Sequence, residues 1–288
     1  MHVEAFPCPY CGSSIVAREK SQRLIKPQAL LPFSIDRRAA TELFRAWIDK
    51  LWFAPDALKK LASLDGRLQG LYAPYWTYDA FTRSQYTGQR GDDYRVQKTR
   101  TVTRDGKRVT ETYTDVETRW RPASGTVQRD FDDMLVVGSN SLPRDLAEEL
   151  EPWDLEALVA YADEYLSGFT AERYQIDVRA GWSRATERMD AVIRTDVRRD
   201  IGGDHQRIHH VSTHHSDITF KHILLPMWIC SYRYREKIYR FLVNARTGEV
   251  QGQRPWSWVK ITLAALAAAI VVFVIYMITR DTGEPVRL

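Results

Sequence analysis

The chain has 288 residues, 44% hydrophobic and 27% charged, with 41 Lys and Arg against 37 Asp and Glu for a formal net charge of +4. This is a globular composition, neither disordered nor collagen-like. Three cysteines exclude a disulfide-stapled secreted scaffold, and the near balance of charge gives no sign of a strongly basic nucleic-acid binder.

At the N-terminus, Cys8-Pro9-Tyr10-Cys11-Gly12 reads as a zinc-ribbon knuckle. Two thiolates sit on one tight turn, and Gly12 lets the backbone fold under the metal. A structural zinc site needs four ligands. Beyond Cys8 and Cys11 there is only Cys230, which falls in an apolar strand-like run and reads as a small core residue. Zn2+ can be completed by His2, by a distant histidine, or by the knuckle of a second copy in a homo-oligomer. The other reading is that half a ribbon is missing and no metal binds.

A charged stretch, residues 18–23, leads into the body. Asp36 is a helix N-cap. Leu43, Phe44, Trp47, Ile48, Leu51 and Trp52 then make one wide apolar face, which reads as a core helix. Pro55 ends it, and a shorter helix with Leu58 and Leu61 is expected after it. Residues 71–78 (LYAPYWTY) are strand-forming, and residues 224–232 (LLPMWICSY) repeat their Pro-x-Trp phrase. The recurrence reads either as a duplicated strand–hairpin unit or as chance. Residues 94–120 predict a long hairpin around Asp105-Gly106, polar on both faces and projecting into solvent. It is either decoration or a docking edge.

A further strand is expected over residues 131–137, and short helices over 141–169. Trp182, Ala185, Met189, Val192, Ile193 and Val197 mark an amphipathic helix with a mixed-sign outer face, ended by Gly202-Gly203. Six histidines lie between His205 and His222. Their strand-like pattern, with no carboxylate at ligand spacing, reads as a polar strand rather than a metal site. A meander with a turn at residues 244–248 (NARTG) closes the body.

Residues 261–279 (ITLAALAAAIVVFVIYMIT) contain no charge. Nineteen residues make a helix of about 28 Å, close to the hydrocarbon thickness of a bilayer. Trp256 and Trp258 suit the headgroup zone, and Lys260 and Arg280 bracket the span where they can snorkel. The competing reading is a buried core helix. Lys237, Arg240, Arg246, Arg254 and Lys260 precede the span, whereas Arg280 and Arg287 follow it beside Asp281 and Glu284. That asymmetry puts the large N-terminal part in the cytoplasm. Residues 1–25 contain no signal-peptide core. The expected organisation is a partial knuckle (1–17), a cytoplasmic α+β body (18–255), a transmembrane anchor (256–280) and a short external tail (281–288). The fold class expected is α+β, with a mostly antiparallel sheet, a long polar hairpin and packed amphipathic helices.

No phosphate-binding loop, dinucleotide fingerprint, nucleophile elbow or His-Glu-x-x-His occurs. Acidic pairs such as Asp92-Asp93 and Asp132-Asp133 read as turn chemistry; a hydrolase would need them to converge with the histidines.

The runs IKPQALLPFSID, LWFAP, GLYAPYWTYDA, EPWDLEAL, DIGGDHQRIH, TFKHILLPMW and VNARTGEVQGQRPWSW resemble the bacterial TFIIB-type zinc-ribbon membrane proteins. The resemblance runs from the knuckle to the membrane span. Such proteins are often named after a primosomal helicase, whose ATPase motifs are absent here. Relatives of this kind usually carry complete ribbons upstream, so the zinc inference reaches only Cys8 and Cys11. The resemblance implies a single-pass protein of the bacterial cytoplasmic membrane. It also implies a role in membrane stress, recruiting phage-shock-type and flotillin-like (SPFH) partners to the bilayer. The expectation is therefore a non-enzymatic adaptor. The alternatives are a membrane-tethered nucleic-acid-binding ribbon and, behind it, a metal-dependent hydrolase.

Overall fold

The computed structural model describes residues 5–7, 14–16, 24–51, 68–104, 107–234, 237–254 and 257–281. Two short strands, β1 (Ala5–Pro7) and β2 (Ser14–Val16), pair antiparallel with Phe6 opposite Ile15. The remaining strands form one mostly antiparallel eight-stranded sheet. They are β3 (Ala29–Leu30), β4 (Gln69–Arg104), β5 (Lys107–Val137), β6 (Val159–Ala160), β7 (Thr170–Ala171), β8 (His205–Tyr234), β9 (Lys237–Asn244) and β10 (Val250–Gly252). The order runs β10–β9–β8–β3–β6, and β4 pairs with β5, β7 and β8. The helices are α1 (Arg37–Asp49), α2 (Arg144–Glu149), α3 (Val178–Ile201) and α4 (Trp258–Asp281). The class is α+β.

The chain divides into two compact units. One comprises Met1–Pro74, Ser139–Gln175 and Ile223–Leu288; the other comprises Tyr75–Gly138 and Ile176–His222.

In the first unit, helix α1 packs on the β9–β10 end of the sheet. Asp36 caps it by accepting the Ala39 N–H at 2.8 Å. Ala40, Phe44 and Ile48 form its buried stripe, and Phe44 stacks on Phe241 with ring centroids 3.5 Å apart. The apolar spacing carried on to Trp52, but the helix ends at Asp49. The shorter helix expected after Pro55 lies outside the described residues. A second aromatic cluster joins Phe33, Tyr72, Phe169 and Trp228, with Phe33 stacked on Phe169 at 3.9 Å.

In the second unit, β4 and β5 make one continuous hairpin, paired from Tyr75↔Val137 to Arg104↔Lys107. Three separate sequence expectations, the 71–78 strand, the 94–120 hairpin and the 131–137 strand, are pieces of these two strands. Gly88, Gly91 and Gly125 interrupt the side-chain pattern, but the backbone ladder does not need side chains to continue. The Asp105-Gly106 turn lies outside the described residues.

Helix α3 packs along the β4–β5 hairpin and buries Gly181, Ala185, Met189, Ile193, Val197 and Ile201, a strict four-residue repeat. A repeat longer than 3.6 residues winds right-handedly around a helix. A twisted two-stranded ribbon can follow such a stripe along the helix. Gly202 and Gly203 end the helix at φ +64° and +75°. A side chain at Gly203 would also meet the Gly91 carbonyl oxygen at 2.8 Å.

The same kind of clasp is built within each unit. In the second, Trp76 donates its indole N–H to the carbonyl of Ile176 at 2.8 Å, and Ile176 N–H reaches Gly138 O at 3.0 Å. Asp177, the next residue, caps α3. In the first, Trp228 donates to Ile35 O at 2.8 Å, Ile35 N–H reaches Ala245 O at 2.9 Å, and Asp36 caps α1. The strand pairs also match: Trp76 lies opposite Val136 and Trp228 opposite Val243. The Pro-x-Trp phrases that recur in the sequence thus make the same kind of contact, each within its own unit.

Candidate functional site

Helix α4 is the feature that the rest of the fold does not use. Residues Lys260–Ile278 have a mean hydropathy of 2.8, and none is buried inside the chain. An amphipathic helix would show one polar face to water; this one is apolar all round. The core-helix alternative required burial that is absent. The helix is long and apolar enough to cross a membrane. Ser257 starts it by accepting the Ile261 N–H at 3.0 Å on its carbonyl. Thr262 returns its hydroxyl to Trp258 O at 2.8 Å, so this polar group asks nothing of its surroundings. Of the four flanking residues, Trp258 is exposed, and Lys260 lies in the first turn of the helix. Arg280 is in its last turn, and Trp256 lies outside the described residues.

At the N-terminus, β1 and β2 pair antiparallel. Cys8 and Cys11 themselves lie outside the described residues. Zinc favours thiolate and imidazole donors. Cys230 is buried in the core that holds Phe44 and Phe241.

A cluster that sequence reasoning did not assemble lies on the β4–β5 hairpin. Between the pairs Tyr78↔Met134 and Ala80↔Phe131 the register slips, so Asp79 faces both Asp132 and Asp133. This is a β-bulge, with Asp133 at φ +51°, a left-handed conformation that Asp tolerates. The carboxylate oxygens of the three lie within 4.8 Å of one another. Asp79 accepts the Asp133 N–H at 2.9 Å and the Thr219 hydroxyl at 2.6 Å. Lys221 Nζ lies 3.4 Å from Asp133 Oδ1. Desolvation works against the Asp79 charge, but these hydrogen bonds and Lys221 outweigh it and hold the carboxyl below its ordinary range.

Three oxygens with no nitrogen or sulfur suit a hard divalent cation rather than zinc. Lys221 already supplies a positive charge there. Only the adjacent Asp132-Asp133 was visible in the sequence; the third carboxylate arrives through strand register. Among the described residues no histidine joins this group.

The histidines are spread along β8. His205 pairs with Asp93 at 3.0 Å, His222 lies against Trp76 at 4.9 Å, and His215 packs edge-on against Trp182. Burial lowers the pKa of His215, so it is neutral at physiological pH.

No protein-family model matches the chain, and no solved structure matches it. The chain is similar to a Bacillus subtilis (strain 168) protein described as "Uncharacterized protein YdjG". The two are 26% identical over 247 residues, covering 85% of this chain and 68% of the relative.

Proposed function

We propose that this protein is a single-pass membrane anchor whose α+β body presents binding surfaces to peripheral partners at the cytoplasmic face of a bacterial membrane. The observation that carries the reading is α4. Nineteen residues of mean hydropathy 2.8 with no covering inside the chain need an apolar environment from elsewhere. Five residues, 253–257, separate β10 from α4, which holds the body within about 20 Å of the helix entry.

The acidic bulge fits the adaptor reading. Its carboxylates are used by Thr219, the Asp133 backbone and Lys221, an arrangement that pins a strand irregularity. The β1–β2 stems around Cys8 and Cys11 support a zinc knuckle there, completed by a further ligand or a second copy. The partner class, phage-shock-type and flotillin-like proteins, comes from the resemblance of the sequence runs.

The test is affinity purification of the full chain from bacterial membranes in mild detergent, followed by mass spectrometry. Recovery of membrane-stress proteins, lost when the body is removed from the bait, is expected. Recovery of the intact protein with no such partner overturns the adaptor role. Elemental analysis of the same preparation is expected to find zinc, and to lose it in Cys8→Ser with Cys11→Ser.

A further inference from the structure

Three elements of the first unit end on the same side. Strand β10 runs antiparallel to β9, with Val250 opposite Val243 and Gly252 opposite Phe241. Gln253 keeps that line, donating its N–H to Arg240 O at 2.8 Å. The chain therefore leaves β10 heading for the start of β9, which is where the β8–β9 hairpin ends. Helix α1 heads the same way. Its Leu43 lies against Gly248 and its Trp47 against Gly252, which sends its last turn and the exposed Lys50 toward that end.

The hairpin outruns the strand beside it. Its pairing continues past Cys230↔Phe241 through Ser231↔Arg240 to Tyr234↔Lys237. That carries Lys237 about 14 Å beyond the level of Gly252. From Gly252 to Trp258, where α4 starts, the chain reaches at most about 20 Å. The hairpin tip therefore covers most of the distance that the linker can. Its composition differs from that of the other end of the same strands. Residues 232–240 read YRYREKIYR, with four basic residues, one acidic residue, three tyrosines and an isoleucine. Lys237 is exposed, and Ile238 is an exposed apolar side chain. At the far end, residues 244–249 (NARTGE) contain no tyrosine, and their one arginine is held by Asp154. Tyrosine concentrates at a membrane–water boundary, and basic residues near it are drawn to anionic lipid.

We propose that the tip of the β8–β9 hairpin is a second membrane contact, docking on the anionic headgroups of the bilayer that α4 enters. The inference rests on the anchor reading, which brings a lipid surface within the reach of the linker. Charge and reach select this occupant. The basic, tyrosine-bearing end of the strands is the one that faces the span, and the end with the paired arginine faces away from it. A single helix would leave the first unit free to swing about residues 253–257. A span and a hairpin tip held at one surface give it two points of attachment and a fixed tilt.

The test uses the full chain reconstituted in phosphatidylcholine vesicles with or without phosphatidylglycerol, all carrying a radiolabelled phosphatidylcholine tracer. The photo-crosslinker p-benzoylphenylalanine replaces Ile238 or, at the far end of β9, the exposed Thr247. With phosphatidylglycerol present, lipid label is expected at position 238 and only background at position 247. The label at 238 should fall about tenfold or more without phosphatidylglycerol, at high salt, and in Arg235→Glu with Lys237→Glu. The lipid and salt arms keep the native charges, so they decide even where the charge reversal disturbs the hairpin. Equal label at the two positions, or label at 238 that ignores phosphatidylglycerol or salt, overturns the proposal. Flotation of the same vesicles separates the two readings. Protein that fails to float refutes the anchor, whereas protein that floats with only background label at 238 refutes the tip contact alone.

Discussion

Asn244 shows how much one polar side chain can organise. It is fully buried, yet its amide donates to Leu150 O at 3.0 Å and Pro152 O at 3.3 Å, while its oxygen accepts the N–H groups of Arg246 and Thr247 at 2.9 and 3.2 Å. The same turn sends Arg246 onto Asp154 with two bonds of 3.0 Å from Nε. Asn244→Ala leaves two backbone carbonyls and two N–H groups short of partners. It is expected to lower unfolding free energy by about 2–3 kcal/mol, measured by denaturant titration in detergent. The acidic side of the pH profile is set by residues such as Asp196. Arg129 grips it through two bonds of 2.5 and 2.8 Å, and this holds its carboxyl below the ordinary value near 3.8. A group depressed in the folded state contributes stability that is complete above its unfolded pKa and is lost as pH falls through the folded one. Wild-type stability should therefore fall on acidification from about pH 5 downward, and Asp196→Asn should flatten that slope. An unchanged slope would mean the ion pair contributes nothing.

At the level of elements, the clasp explains why two helices of different length begin alike. Ile35-Asp36-Arg37-Arg38-Ala39 and Ile176-Asp177-Val178-Arg179-Ala180 occupy equivalent places, and only the Pro-x-Trp half of the pattern was legible beforehand. Its meaning depends on indole bonds across 100 and 193 residues, which no local window contains. Helix faces, the Asp36 cap and the polar hairpin were legible, because they rest on periodicity and turn chemistry. The acidic bulge was not, because a one-residue slip in register leaves no compositional trace.

The clasp also makes a sharp prediction at Gly181, four residues after the α3 cap. A Cβ there would lie 2.3 Å from the Tyr78 hydroxyl oxygen, which donates to Val178 O at 2.7 Å. In the first unit Ala40 takes this place, and the smaller Cys230 stands where Tyr78 does. Gly181→Ala is expected to cost about 2–3 kcal/mol through overpacking. Tyr78→Phe alone should cost about 1 kcal/mol for the lost bond. On the Gly181→Ala background the same Tyr78→Phe change should instead stabilise, because the clashing oxygen is gone. Additive losses in the double variant would show that the close contact is not what constrains the glycine.

At the scale of the whole molecule, the function proposed for the body depends on where α4 goes. Ala268 and Val272 lie one turn apart near the middle of the span, exposed on its surface. Placing Lys and Asp at those positions adds about 5–7 kcal/mol to membrane insertion, from roughly 2.5–3.5 kcal/mol per charge at a helix centre. On a helix that already sat in water, the same pair would form a mild surface ion pair and change little. Ala268→Lys with Val272→Asp should therefore move the protein from the membrane pellet to the supernatant. A wild-type protein that remains in the supernatant would remove the anchor from the account. On the anchor reading proposed above, the cluster of Arg240, Arg246, Arg254 and Lys260 upstream of α4 predicts a cytoplasmic body. Protease added to spheroplasts should leave the body intact, and protease added to inside-out vesicles should digest it. Digestion in spheroplasts would place the body, and with it the ribbon and the clasp, on the opposite side of the membrane from the partners proposed for it.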